Sequence, residues 1–355
     1  MKLIFDVSDK PKAGQLVVFA LQQMLAILAA PLIIGKGLTP AAAMFGAGVG
    51  TIVYILFTKR KSPVFLGSSF AFLGSMAAAF AGGVSMQLGM LGLIVGAFLA
   101  GLVYVVIAIV VKFVGVGWLN KLMPAVVIGP TVAIIGLSLA GNAIGDLVKG
   151  DVTKQVTEYA VSTDSGTPEI IETVSNVPVG SSYVALICGL ITLAVVMLCS
   201  TYGKKTLRLI PFIIGILAGY AAAAIFTVIG NICDIDALKI VDFSVFSSYM
   251  LTDGSVSLKT FVSLPDFAFV SGLKGLKEFD FTYFATIFVA YVPVALVVFA
   301  EHVADHKNLS SIIDHDLLEE PGLTRTLLGD GVGSIAGALF GGCPNTTYGE
   351  SVGCV

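Results

Sequence analysis

Apolar runs of membrane length recur along the whole chain and leave few folds open to it. They fall at residues 15–34, 40–58, 66–82, 86–111, 122–145, 183–203, 208–230, 282–305 and 323–342, and a tenth begins near 345. About 20 apolar residues in a helix cross the hydrocarbon core of a bilayer. Water does not reach that core, so every backbone N–H and C=O must find its partner within the protein; only helices and closed barrels achieve this. The runs here are continuous. They lack the ten-residue alternation of a barrel. Charged residues make up 12% of the chain, against about 25% in a soluble domain. The expected fold class is therefore an all-α polytopic membrane protein with about nine spans and the start of a tenth.

Lys and Arg set the orientation. With the N-terminus (residues 1–14) cytoplasmic, 13 of the 20 basic residues fall in cytoplasmic segments, among them Lys59, Arg60, Lys61, Lys204, Lys205 and Arg208. The remaining seven fall outside, six of them in two long loops that weigh little in topology. The first loop, 146–182, reads as a solvated connection or a small hairpin, with the connection the simpler reading. The second, 231–281, carries Phe243, Phe246, Tyr249, Phe261, Phe267 and Phe269, which places it partly on the membrane surface. Net charge is −3 without a basic block, which argues against a nucleic-acid partner. The five cysteines form no CxxC pair, so neither a metal cage nor a disulfide framework is expected.

Two spans break the apolar pattern. The third opens Gly67-Ser68-Ser69-Phe70-Ala71-Phe72, and the tenth begins Cys343-Pro344-Asn345-Thr346-Thr347-Tyr348-Gly349-Glu350. Polar, irregular backbone at membrane depth is tolerated only when it is buried in protein or lines a cavity. Matching breaks in two halves of a chain mark the binding site of a transporter built from inverted repeats. The spacing agrees weakly: Gln22 precedes Phe70 by 48 residues and Glu301 precedes Glu350 by 49. Residues 15–230 then form a first repeat of seven spans, and 282–355 begin a second. That second repeat is expected to be incomplete, truncated in span ten.

Candidate site residues cluster around the breaks. Glu301 and Asp305 are spaced i and i+4, so both acids lie on one face of the eighth helix, whereas His302 is turned about 100° away and faces elsewhere. Two acids so placed in a low-dielectric site resist ionising together, and one holds a proton. A solvated cap after Ala300 is the competing reading. Gly349 permits close backbone approach, Tyr348 offers an aromatic face and Glu350 two acceptor oxygens, a set suited to a planar ligand with adjacent N–H and C=O groups. Phe70 either stacks on such a ligand or packs. Gln22 and Gln23 either support the site or join helices. Asn345 and Thr347 are expected in supporting contacts. His302 and His306, with Asp305 between them, have the spacing of a metal pair but no evident third ligand beyond Asp314 or His315, so no metal and no other cofactor is expected.

At these residues the chain resembles the nucleobase–ascorbate transporter family, in its uracil-permease branch. The resemblance rests on FDVSDKP before the first span, LGSSFAF in the third, GWLNKLMP before the fifth, AEHV in the eighth, EEPGLTRTL before the ninth and PNTTYGE in the tenth. It implies fourteen spans in two inverted repeats of seven, with short strands in spans three and ten. It further implies proton-coupled import of a nucleobase, uracil above all, by a multi-pass protein of the cytoplasmic membrane that pairs into a homodimer, and no enzymatic activity. By motif match, Glu301 binds the pyrimidine edge, Glu350 and the Gly349 amide hold the other side, Phe70 contacts the ring and Tyr348 walls the site. The eighth helix then runs past Asn308. Two positions depart from the family. Asp305 stands where a His is usual, and Gln23 follows Gln22 where a His is usual. Asp305 is then expected to share the proton with Glu301. A purine substrate is the alternative within the family, and a non-functional fragment the alternative to transport.

Overall fold

A computed structural model describes residues 9–27, 39–122, 124–162, 169–203, 210–244 and 265–348, together with positions 7 and 207. The described chain is mostly helical, and six of its helices are long and apolar enough to cross a membrane. It divides into two compact units, residues 1–138 with 264–355, and residues 139–263.

The first unit begins with helix α1, Ala13–Ile27. Helix α2, Pro40–Phe57, starts where Pro40 cannot donate and Thr39 accepts the Ala42 N–H at 3.3 Å, satisfying one of the amides that a helix start leaves unpaired. Strand β1 is only Leu66–Ser68. A single 3₁₀ turn, Phe70–Phe72, leads into the short helix α3, Leu73–Ala79. The third span is thus strand, turn and half-helix. Helix α4, Met86–Val114, opens on Ser85, which accepts the Leu88 N–H at 3.1 Å. Helix α5, Ala125–Leu147, follows.

The second unit carries a hairpin of β2, Thr153–Ser162, and β3, Glu169–Pro178, paired antiparallel from Thr153 opposite Pro178 to Ser162 opposite Glu169. Residues 153–162 and 169–178 of the 146–182 segment therefore form the small hairpin, where a solvated connection was the simpler expectation. Lys and Glu interrupt the alternation of Val, Tyr and Ile that would have signalled strands. Helices α6, Ser182–Tyr202, and α7, Pro211–Ile232, pack on each other. Thr227 closes this unit by accepting the Ile240 and Val241 N–H groups, both at 3.0 Å.

Back in the first unit, α8 runs from Phe281 to Ile313, about 50 Å at 1.5 Å per residue. It passes Asn308 without a break, so Glu301 and Asp305 lie inside a helix and not in a solvated cap. Helix α9, Leu323–Gly341, leads into strand β4, Asn345–Thr347. α9 packs on both α2 and α4 through small residues. A Cβ on Gly50 would sit 2.7 Å from Gly333 O and 2.9 Å from Asn345 Nδ2, so backbone meets backbone there, as membrane helices do where small residues face each other. Phe267 and Phe269 pack against Phe340, centroids 5.4 and 5.9 Å away, and Phe267 also against Phe45. These two rings pack over Phe45 near the start of α2 and Phe340 at the end of α9. Phe246, Tyr249 and Phe261 lie outside the described residues.

Candidate functional site

The two interrupted spans meet. β1 and β4 pair antiparallel, Leu66 opposite Thr347, Gly67 opposite Thr346 and Ser68 opposite Asn345. The Ser69 N–H donates to Pro344 O at 3.0 Å, and the Tyr348 N–H to Phe65 O at 3.2 Å, extending the ribbon at both ends. All six strand residues are buried. A two-stranded ribbon in such a place must find partners for its outer backbone groups. Here side chains supply them. Thr51 Oγ1, on α2, accepts the Leu66 N–H at 3.0 Å and donates to Ala47 O at 2.8 Å. From α9, Ser334 Oγ accepts the Asn345 N–H at 3.0 Å, and Asp330 Oδ2 lies 3.4 Å from the Thr347 N–H. The Asn345 carboxamide reaches back to Gly46 O on α2 at 3.3 Å. Asn345 thus holds the ribbon between α2 and α9.

Several residues singled out in the sequence come together at this ribbon. The Phe70 and Tyr348 rings lie 6.2 Å apart at 30°, the first half-buried and the second buried. Thr347 donates its hydroxyl proton to Asp305 Oδ2 at 3.1 Å, joining β4 to the acidic face of α8. Glu301 is half-buried with one carboxylate oxygen fully enclosed. Gln22 is buried, and its carboxamide oxygen makes no hydrogen bond among the described residues; Gln23 is half-buried. Gly349 and Glu350 lie outside the described residues.

Behind the ribbon, His302 and His306 meet Asp330, Thr326 and Tyr54, three polar residues that were not singled out in the sequence. His302 does face away from the Glu301–Asp305 side, and what it faces is Asp330, with Nδ1 to Oδ2 at 2.6 Å. Its Nε2 lies 3.1 Å from Thr326 Oγ1, and Thr326 donates to Leu323 O at 3.0 Å. His306 bonds through Nδ1 to His302 O at 2.8 Å and through Nε2 to the Tyr54 hydroxyl at 2.7 Å, which in turn meets Ser62 Oγ at 2.8 Å. All of these side chains are buried. A small cavity beside Asp330 is lined by Tyr104, Ser334, Asn345 and Thr346. The signal was present in the sequence. Asp330 is an acid inside an apolar span, and such a residue is a functional candidate on that ground alone. Among the described residues no group of three or more His, Cys, Asp and Glu side chains is arranged to hold a metal.

In the first unit, helices of membrane length pack around a pair of broken, buried half-spans, the arrangement of a membrane transporter, and polar side chains converge where the half-spans meet. A family model described as "Permease family" matches residues 14–355. The chain belongs to that family, whose members are permeases and not enzymes. It is 33% identical over 356 residues to the uracil permease of Bacillus caldolyticus, covering 99% of this chain and 68% of that one. It is 32% identical over 354 residues to the uracil permease of Bacillus subtilis, covering 99% and 69%, and 30% identical over 349 residues to the uracil permease of Escherichia coli K12, covering 98% and 67%.

Proposed function

We propose that this permease is a proton-coupled secondary transporter that imports uracil or a closely related nucleobase across the cytoplasmic membrane, with its N-terminus inside. Relatives named uracil permease, aligned over nearly the whole chain, support the substrate class. The observation that carries the site is the Thr347–Asp305 hydrogen bond, which ties the β1–β4 ribbon to the helix bearing Glu301. A flat heterocycle with paired N–H and C=O groups is recognised by a carboxylate on one side and backbone amides on the other. In this reading Glu301 accepts from the ring N–H groups, and Gly349 and Glu350 hold the opposite edge. Phe70 and Tyr348 bound the ring faces, and Gln22 and Gln23 support Glu301 from the first helix.

Glu301 and Asp305 share one proton, because like charges one turn apart in a low-dielectric site do not both ionise. Matched breaks in spans three and ten favour two inverted repeats, with transport by movement of the ribbon-bearing unit. A homodimer in the bilayer completes the picture. The test is uptake of radiolabelled uracil by cells lacking their own permease. Saturable uptake that Glu301→Ala or Glu350→Ala abolishes is the expected result. Uptake indifferent to both changes would remove the site assignment, and competition by xanthine stronger than by uracil would move the substrate to the purines.

A further inference from the structure

The His302–Asp330 pair is placed to hold a proton of its own. When the Thr326 hydroxyl donates to Leu323 O, 3.0 Å away, Thr326 Oγ1 accepts from His302 Nε2, which then carries hydrogen. The other ring nitrogen lies 2.6 Å from a carboxylate oxygen. Two arrangements satisfy these contacts, an imidazolium against a carboxylate or a neutral imidazole accepting from a carboxylic acid. Both contain the same extra proton. Losing it leaves a neutral ring with one N–H, which points to Asp330, and Thr326 must swing its hydroxyl from Leu323 O to Nε2. The pair thus has two discrete hydrogen-bonded states that differ by one proton.

Three features connect these states to transport. Asp330 Oδ2, the oxygen facing His302, is also the one that lies 3.4 Å from both the Thr346 hydroxyl and the Thr347 N–H of β4. His302 adjoins Glu301 on α8. The small cavity against Asp330 has room for about one water molecule, and the buried Tyr104 hydroxyl beside it makes no hydrogen bond of ordinary geometry among the described residues, although Thr346 and Asp330 are close to it. The titratable groups packed against the pair are Tyr54 from α2, Tyr104 from α4 and His306 from α8, while Glu301 and Asp305 lie on the other face of α8.

We propose that His302 and Asp330 form a second proton-binding site, separate from Glu301 and Asp305, whose shared proton is exchanged in the transport cycle. The exchange in transport rests on the proton-coupled reading above; the binding of the proton does not, and two measurements separate them. In the first, infrared spectra of the reconstituted protein are compared between pH 5 and 9 without substrate. Carboxyl and imidazole bands that titrate in the wild type and vanish in both Asp330→Asn and His302→Asn are expected. A difference spectrum unchanged by either substitution overturns the proposal.

In the second, uracil accumulation is measured in liposomes under a pH gradient of one unit. Each coupled proton supports about a tenfold concentration ratio per unit. His302→Asn keeps an N–H donor near Asp330 but removes the titratable ring, so the ratio is expected to fall by about tenfold with the protein still folded and still exchanging uracil. Wild-type accumulation in that variant, or accumulation driven equally by a sodium gradient without a pH gradient, overturns the proposal. Failure of the wild type to move uracil at all would instead remove the substrate reading and leave the infrared result to decide the proton site.

Discussion

His302 Nδ1 and Asp330 Oδ2 lie 2.6 Å apart where both side chains are closed off from solvent. Each side chain is therefore the other's main compensation for burial. Removing one partner strands the other, which for buried pairs costs about 3–5 kcal/mol. His302→Ala is expected to lose stability on that scale, visible as a lower melting temperature in detergent, with His302→Asn losing much less because a donor remains. Equal melting of wild type and His302→Ala would mean that Asp330 is satisfied elsewhere.

Gly50 stands where α2, α9 and β4 converge. A methyl group there meets the Gly333 carbonyl at 2.7 Å and the Asn345 side-chain amide at 2.9 Å, and the backbone carbonyl cannot yield without moving a helix. Gly50→Ala is expected to cost about 1–3 kcal/mol by overpacking and to depress uracil uptake. Gly48→Ala, with nothing within 4 Å of the added carbon, is the control expected to melt and transport like the wild type.

Thr51 stands in for a neighbouring strand by taking the Leu66 N–H. Thr51→Val preserves shape and leaves that amide without an acceptor, at a cost of about 1–3 kcal/mol. Thr51→Ser restores the hydroxyl. Thermal stability and uptake should therefore fall in the valine variant and recover in the serine variant, and a serine variant as poor as valine would point to packing.

At the connections flanking β1 and α9, Lys61 forms an ion pair with Glu320. The hydrogen bond from Lys61, and then its charge, hold the Glu320 carboxyl below the ordinary glutamate range. The folded-state pKa is depressed, so the pair stabilises above the unfolded value of about 4.3 and this contribution disappears as pH falls through the lower folded value. Both groups are half-exposed, so the effect is small. Lys61→Gln should return Glu320 to the ordinary range, detected as an upward shift of its titration, and should leave the melting temperature near neutral pH almost unchanged.

The spans and the two breaks were legible because hydrophobicity and its interruption are local. The third span shows this: Gly67–Phe72 read as unsuited to a lipid-facing helix, and it forms a strand and a 3₁₀ turn. The spacing of Glu301 and Asp305 likewise fixed their common face. What Asp330 touches was not legible, because it depends on where α9 lies against α8, and no local pattern encodes that. The same holds for Asn345, whose carboxamide serves α2 some 299 positions earlier in sequence. The hairpin at Thr153–Pro178 was obscured because charged residues broke an alternation that pairing nevertheless upholds.

The ribbon also has a consequence in time. Leu66 and Thr347 are 281 positions apart (347 − 66), and ribosomes add about 5–20 residues per second, so β1 is made roughly 14–56 seconds before its partner exists. Unpaired amides cannot wait in hydrocarbon without cost. Thr51, on the helix synthesised just before, can hold the Leu66 N–H during that interval. Its hydroxyl would then be a placeholder during biogenesis as well as a clamp in the finished transporter, and the ribbon would be completed only once β4 has been made.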